Sequence, residues 1–136
     1  MAIQIIPYLV CRDVAASIEF LTRAFGFAEE ERKQTPSGGI HAEMVLETQR
    51  IMLGQVAGHS ADQGDMRPPA DMPGSVATSG IFVYLEDVDG HFERASAEGA
   101  EIIHPPRNVP YGRTYAARDA DGHPWFFTRP PKLSAA

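Results

Sequence analysis

The chain carries nearly the same passage twice. Residues 8–30 read YLVCRDVAASIEFLTRAFGFAEE, and residues 84–102 read YLEDVDGHFERASAEGAEI. Each copy is a short apolar run, then Asp-Val, then an amphipathic stretch closed by Gly, then a return to strand-like residues. Asp13-Val14 precedes Gly26 by the same distance, within one residue, as Asp87-Val88 precedes Gly99. Self-similarity at half the chain length predicts two copies of one supersecondary unit related by a pseudo-two-fold. Two half-sheets facing each other leave a cleft, and clefts between repeats are where small molecules bind.

Each copy reads as βαβββ. In the first, residues 3–11 have strand character, Asp13 stands at an N-cap position, and Ile18, Leu21 and Phe25 fall on one helical face ahead of Gly26. Strands are predicted over 27–34, 40–47 and 51–56, separated by Pro36–Gly39 and by Thr48–Arg50. In the second, 80–86 is a strand and Asp87 caps a helix whose inward face is Val88, Phe92 and Ala95. A strand over 100–104 is expected to stop at Pro105-Pro106. Residues 114–118 and 125–128 form the last two strands around the turn at 119–122. Residues 57–79 concentrate turn-formers and read as a linker, with His59, Asp62, Asp65 and Asp71 as solvated loop residues. The expected organisation is one domain over 1–136: module 1 at about 1–56, the linker at 57–79 and module 2 at about 80–130.

Composition narrows the partners. A net charge of −6, with twelve Lys and Arg scattered rather than striped, argues against nucleic acid. No apolar run approaches the ~20 residues of a membrane span. The start MAIQIIPYLV lacks a basic segment and a small-residue cleavage site, so no signal peptide is expected. The single cysteine, Cys11, precludes an internal disulfide and is compatible with a reducing cytoplasm. It reads as a small buried residue rather than a nucleophile. No nucleophile elbow, phosphate-binding loop or dinucleotide fingerprint is present.

Three stretches carry a family resemblance. Pro7-Tyr8-Leu9 leads to Asp13-Val14 and Ala24-Phe25-Gly26-Phe27. His41-Ala42-Glu43-Met44 is followed by Ile51-Met52-Leu53-Gly54. Pro110-Tyr111-Gly112-Arg113 is followed by Asp119-Ala120-Asp121-Gly122-His123-Pro124-Trp125. Together they resemble the vicinal oxygen chelate superfamily of glyoxalases, bleomycin-resistance proteins and dioxygenases, and within it a glyoxalase-like subgroup grouped with phosphonate-operon B proteins. The resemblance implies an α+β fold in which two tandem βαβββ modules form a curved eight-stranded cleft sheet with helices on its outer face. It also implies a homodimer.

The same resemblance defines four metal-ligand positions, filled in metal-using members by His, Gln or Glu. Here they fall at Ile6, near Met52 to Gln55, at Gly80 and at Phe126, where only Gln55 offers a hard donor. No cofactor and no metal site is therefore expected. A divalent Zn, Ni, Mn or Fe enters only under an alternative in which His41 and Glu43, two apart on one strand face, act with Gln55 or His104. His41 and Glu43 are the candidate catalytic pair for proton transfer; the competing reading makes them polar groups bonded to neighbours on the wetter sheet face. Ile6, Tyr8 and Phe126 are expected to floor the cleft, with Gln55, Tyr111, Arg113 and Tyr115 as ligand contacts. Arg113 either clamps an anionic group or fixes its loop through a salt bridge. His123 is expected to bond its turn, and His59 and His91 to face solvent.

The first functional expectation is metal-independent binding of a small aromatic or planar molecule, of the sequestration or resistance type, with turnover not expected. A glyoxalase-like lyase or isomerase is one alternative, and a non-catalytic structural or regulatory fold the other.

Overall fold

The structure, a computed structural model, describes residues 1–36, 38–56 and 64–132. Strand β1 (Tyr8–Cys11) leads into helix α1 (Val14–Phe25), then β2 (Ala28–Gln34), β3 (Ile40–Leu46) and β4 (Gln49–Gln55). After two 3-10 turns at Pro69–Asp71 and Pro73–Ser75 the order repeats: β5 (Ile81–Tyr84), α2 (Val88–Ala97), β6 (Glu101–Val109), β7 (Gly112–Arg118) and β8 (Pro124–Arg129). The eight strands form two four-stranded mixed sheets, β1-β4-β3-β2 and β5-β8-β7-β6. The fold is α+β, with one βαβββ unit per sheet.

The repeat is kept in register. Tyr8 pairs with Met52 across β1 and β4, as Phe82 pairs with Phe126 across β5 and β8. Asp13 accepts from Ala16 N at the start of α1, as Asp87 accepts from Gly90 N at the start of α2. Each cap satisfies a helix-start amide that no carbonyl reaches. Gly26 ends α1 at φ 84°, a left-handed conformation that glycine adopts without penalty.

The helix-facing sides of both sheets meet in one core. Ile18, Leu21 and Phe25 of α1 are all buried, as their spacing predicts. Phe25 lies 5.3 Å from Trp125 and 4.8 Å from Phe127 between ring centroids, and Phe27 lies 5.5 Å from Trp125. Module 1 thus inserts aromatic side chains directly into the sheet of module 2. Arg94 of α2 donates to the carbonyls of Arg23 (2.7 Å) and Thr22 (2.9 Å), satisfying the open C-terminal end of α1. Cys11 is buried, and burial pushes its thiol far above the ordinary range, which leaves it inert.

Several boundaries differ from the sequence reading. Strand β1 begins at Tyr8, because the register with β4 starts there and residues 1–7 join no strand. The β3–β4 turn is Glu47-Thr48 rather than 48–50. β6 does not stop at Pro105-Pro106 but runs on to Val109. It is an edge strand, and its pairing with β7 shifts between His104 and Arg107, so the prolines sit where no ladder bond is needed. The linker contributes the two 3-10 turns rather than loop alone, while His59 and Asp62 lie outside the described residues. Among the described residues no helix is long and apolar enough to cross a membrane.

Candidate functional site

Each sheet has a face turned away from the helices, and the two faces differ chemically. In module 1, Ala42 and Met44 point to the core, so alternation puts His41 and Glu43 on the open face, as their spacing predicts. The pairings Tyr8↔Met52, Met52↔Glu43 and Glu43↔Glu31 lay one row across the sheet, and Gly54, His41 and Lys33 the next. Tyr8 lies over Gly54, where a Cβ would collide with the phenol, so the glycine lets the ring lie flat on β4. The Tyr8 and His41 rings are 6.0 Å apart.

Charge pairing fills the rest of this face. Arg50 bridges Glu43 (3.2 Å) and Glu30, and Lys33 pairs with Glu31 at 3.0 Å. The Lys33 ammonium holds the Glu31 carboxyl below the usual carboxylate range. Glu43 is thus bonded to a neighbouring cation.

In module 2, Trp125 and Phe127 point to the core, and Phe126 points to the open face with Phe82 and Tyr84 of β5. Phe82 and Phe126 stack at 5.0 Å and 19°. Gly80 sits beneath that stack; a Cβ there would come within 2.7 Å of the Phe126 ring. Phe82 is 55% exposed and Tyr84 72% exposed, so β5 presents a bare aromatic surface. On the same face, beside Tyr84, the Thr114 and Thr128 hydroxyls bond each other at 2.8 Å.

The structure redistributes the predicted site residues. Tyr8, Phe126, His41 and Glu43 lie on open sheet faces, and Ile6 is half-buried just ahead of β1. Gln55 turns to the helix side, where its Oε1 accepts from Val14 N at the start of α1 (3.4 Å). Tyr115 is fully buried, because it shares strand parity with Ala117 against α2. Arg113 has the same parity and forks onto Asp89 of α2 with bonds of 2.8 and 2.7 Å, so the salt-bridge reading describes it. Tyr111 is exposed in the β6–β7 turn.

His91 is not solvent-facing. Its Nε2 lies 3.1 Å from Phe25 O and its Nδ1 meets the Tyr115 hydroxyl. A carbonyl only accepts, so Nε2 carries the proton, Nδ1 accepts from Tyr115, and the ring is neutral. Burial pushes its pKa down. His123 reaches further than its turn: Nε2 lies 2.9 Å from Val10 O of module 1. Sequence reasoning missed Phe82 and Tyr84; the signal was the repeat, which sets β5 beside β8 as β1 lies beside β4.

The repeat also bears on the four metal-ligand positions that the family resemblance defines. Because Tyr8↔Met52 matches Phe82↔Phe126, the counterpart of Phe126 is Met52, not Gln55. Ile6, Met52, Gly80 and Phe126 offer no oxygen or nitrogen donor for a hard or borderline dication. The residues present do not fit a metal at these positions. Among the described residues, no three His, Cys, Asp or Glu side chains converge as a metal site would need.

The family model for the Glyoxalase/Bleomycin resistance protein/Dioxygenase superfamily matches residues 4–127. Among solved structures, TioX from Micromonospora sp. ML1 is 30% identical, with 96% of this chain and 100% of TioX covered at a TM-score of 0.68. TnmS3, an antibiotic binding protein from Streptomyces sp. CB03234, is 19% identical, with 96% and 99% covered at a TM-score of 0.66. A mutant of the fosfomycin resistance protein FosX from Listeria monocytogenes, complexed with Mn(II) and a dihydroxypropylphosphonic acid, is 18% identical, with 96% and 94% covered at 0.71. No curated protein sequence matches the chain.

Proposed function

The chain belongs to the glyoxalase, bleomycin-resistance protein and dioxygenase superfamily, and from that premise we propose that it binds a planar aromatic small molecule without a metal. The observation that carries this reading is the exposed Phe82–Phe126 stack with Tyr84 beside it, on a face whose family metal positions hold no hard donor. A stacked aromatic floor recognises a planar ring through offset stacking and area burial, and a net charge of −6 favours a cationic one. The fold shared with TioX and TnmS3, and the antibiotic binding of TnmS3, support the same reading.

In this reading the protein is a homodimer. The aromatic face of module 2 is covered by the polar face of module 1 from a second copy, and the ligand lies between them. Tyr8, Phe82, Tyr84 and Phe126 contact the ring system, while His41 and the Glu43–Arg50 pair supply polar contacts at its edge. The role is sequestration in a soluble compartment, consistent with a glyoxalase-like subgroup beside phosphonate-operon B proteins. The lyase or isomerase alternative asks Glu43 to move a proton, whereas its carboxylate is already engaged by Arg50.

The test is a fluorescence titration of chelator-treated protein with ethidium, run beside light scattering for oligomeric state. Saturable binding by a dimer, weakened in Phe126→Ala, is the expected result. Absence of binding to the chelator-treated protein, with recovery on adding a divalent metal, sinks the proposal.

A further inference from the structure

The pseudo-two-fold creates two seams where the end strand hairpin of one module meets the first strand of the other, and only one is closed. In the closed seam the β7–β8 turn of module 2 reaches β1. Its Asp121, 3% exposed, accepts from Ser17 Oγ (2.6 Å), Arg12 N (2.9 Å) and Arg12 Nε (3.2 Å). Arg12 also donates to Ala120 O at 2.6 Å, and His123 joins Val10 O. Ala70 N bonds Asp121 O at 2.9 Å, laying the first 3-10 turn over the junction.

The open seam has the same backbone plan and different residues. Between Leu46 and Gln49 the turn holds two residues, Glu47 and Thr48. Between their counterparts Asp119 and His123 it holds three, Ala120, Asp121 and Gly122. The shorter turn has no counterpart of the plugging carboxylate. On the receiving side, Glu86 stands where β1 has Arg12, and His91 stands where α1 has Ser17. What remains is a cavity of about 520 Å3 lined by Leu46, Glu47, Tyr84, Leu85, Glu86 and His91, next to a second of about 480 Å3 that reaches Trp125.

We propose that this open seam is a second binding site, distinct from the sheet-face cleft, for a small amphipathic amine: an apolar or aromatic body with one cationic nitrogen. The chemistry follows from the closed seam by charge reversal. There an acidic plug meets Arg12, whereas here the vacant position meets Glu86, with Glu47 across the groove. Among the described residues neither glutamate forms a salt bridge, although Arg129 and Lys132 line the neighbouring hollow with Glu86. The amine displaces solvent between the two carboxylates, and its body rests on Leu46, Val83 and Leu85. His91 adds a neutral ring wall, since both its nitrogens are already bonded. The volume suits a ligand of that size.

The inference does not depend on the cleft binding anything. A heteronuclear NMR titration with 2-phenylethylamine, and separately with 2-phenylethanol, reads it directly. The amine is expected to shift the amides of Glu47, Leu85, Glu86 and His91, with the alcohol at least tenfold weaker. Glu86→Arg, which restores the charge of the closed seam, is expected to weaken the amine at least tenfold, and Leu46→Gln to weaken it several-fold. Phe126→Ala is expected to leave these shifts within twofold. Shifts confined to Phe82 and Phe126, no shifts at all, equal binding of the alcohol, or indifference to Glu86→Arg would each overturn the proposal.

Discussion

Modules 1 and 2 share a backbone, a strand register and a capping aspartate, yet their side chains diverge at nearly every functional position. The open face of module 1 is held by ion pairs among Glu30, Glu31, Lys33, Glu43 and Arg50. The open face of module 2 is aromatic, with Phe82 and Tyr84 exposed beside Phe126. The seams diverge too, one plugged by Asp121 and the other open above Glu86 and His91. Duplication preserves what the chain needs to fold twice, and the positions not needed for folding are where binding chemistry separates the two halves.

The largest expected effect is on the closed seam. Asp121→Ala removes a buried carboxylate and strands the Ser17 hydroxyl and the Arg12 amide, which costs about 3 kcal/mol of stability. Glu47→Ala, at the open seam, should stay within about 0.5 kcal/mol. Urea denaturation of both variants checks the contrast, and equal effects would erase the difference between the seams.

On the sheet faces, Phe126→Ala should raise the dissociation constant for ethidium by about tenfold, the loss of one stacked aromatic contact at ~1.4 kcal/mol. Glu43→Gln should change it by less than about threefold, since a half-buried ion pair at the rim of the face is worth ~1 kcal/mol or less. If Glu43→Gln proves the more damaging in calorimetric titrations, the division of labour between the faces is reversed.

The smallest effect is on pH dependence. Burial lowers the pKa of His91 in the folded state below its ordinary value near 6.5. The unfolded chain therefore binds the proton first as pH falls, so His91 withdraws stability progressively below about pH 6.5 and has no effect above it. Thermal melts of His91→Gln between pH 5 and 8 should show a flatter acid limb than the parent; parallel limbs would count against the buried neutral ring.

Much of this was legible in the sequence, and the reason is periodicity. The Asp-Val and Gly landmarks located both helices, and the Ile18, Leu21 and Phe25 spacing identified the buried face of α1. Alternation put His41 and Glu43 together on one strand face, which the structure shows to be the open one. What failed was strand parity wherever no alternating apolar pattern fixes it. Arg113 and Tyr115 were one residue from the open face and turned inward to Asp89 and His91, and Gln55 turned to cap α1. β6 ran through two prolines because edge position and a shifted register are properties of the sheet, not of the strand. Phe82 and Tyr84 became visible as site residues only once β5 was paired with β8.

The central claim is that the four family metal positions, Ile6, Met52, Gly80 and Phe126, leave a receptor that needs no metal. It is tested most directly by the metal content of the tag-free protein, by inductively coupled plasma mass spectrometry after dialysis against nickel, zinc, manganese and iron salts in turn. The account predicts well under one equivalent per chain for every metal. Near one equivalent of any of them, retained through buffer exchange, would contradict it and return His41 and Glu43 to the head of the list for mutation.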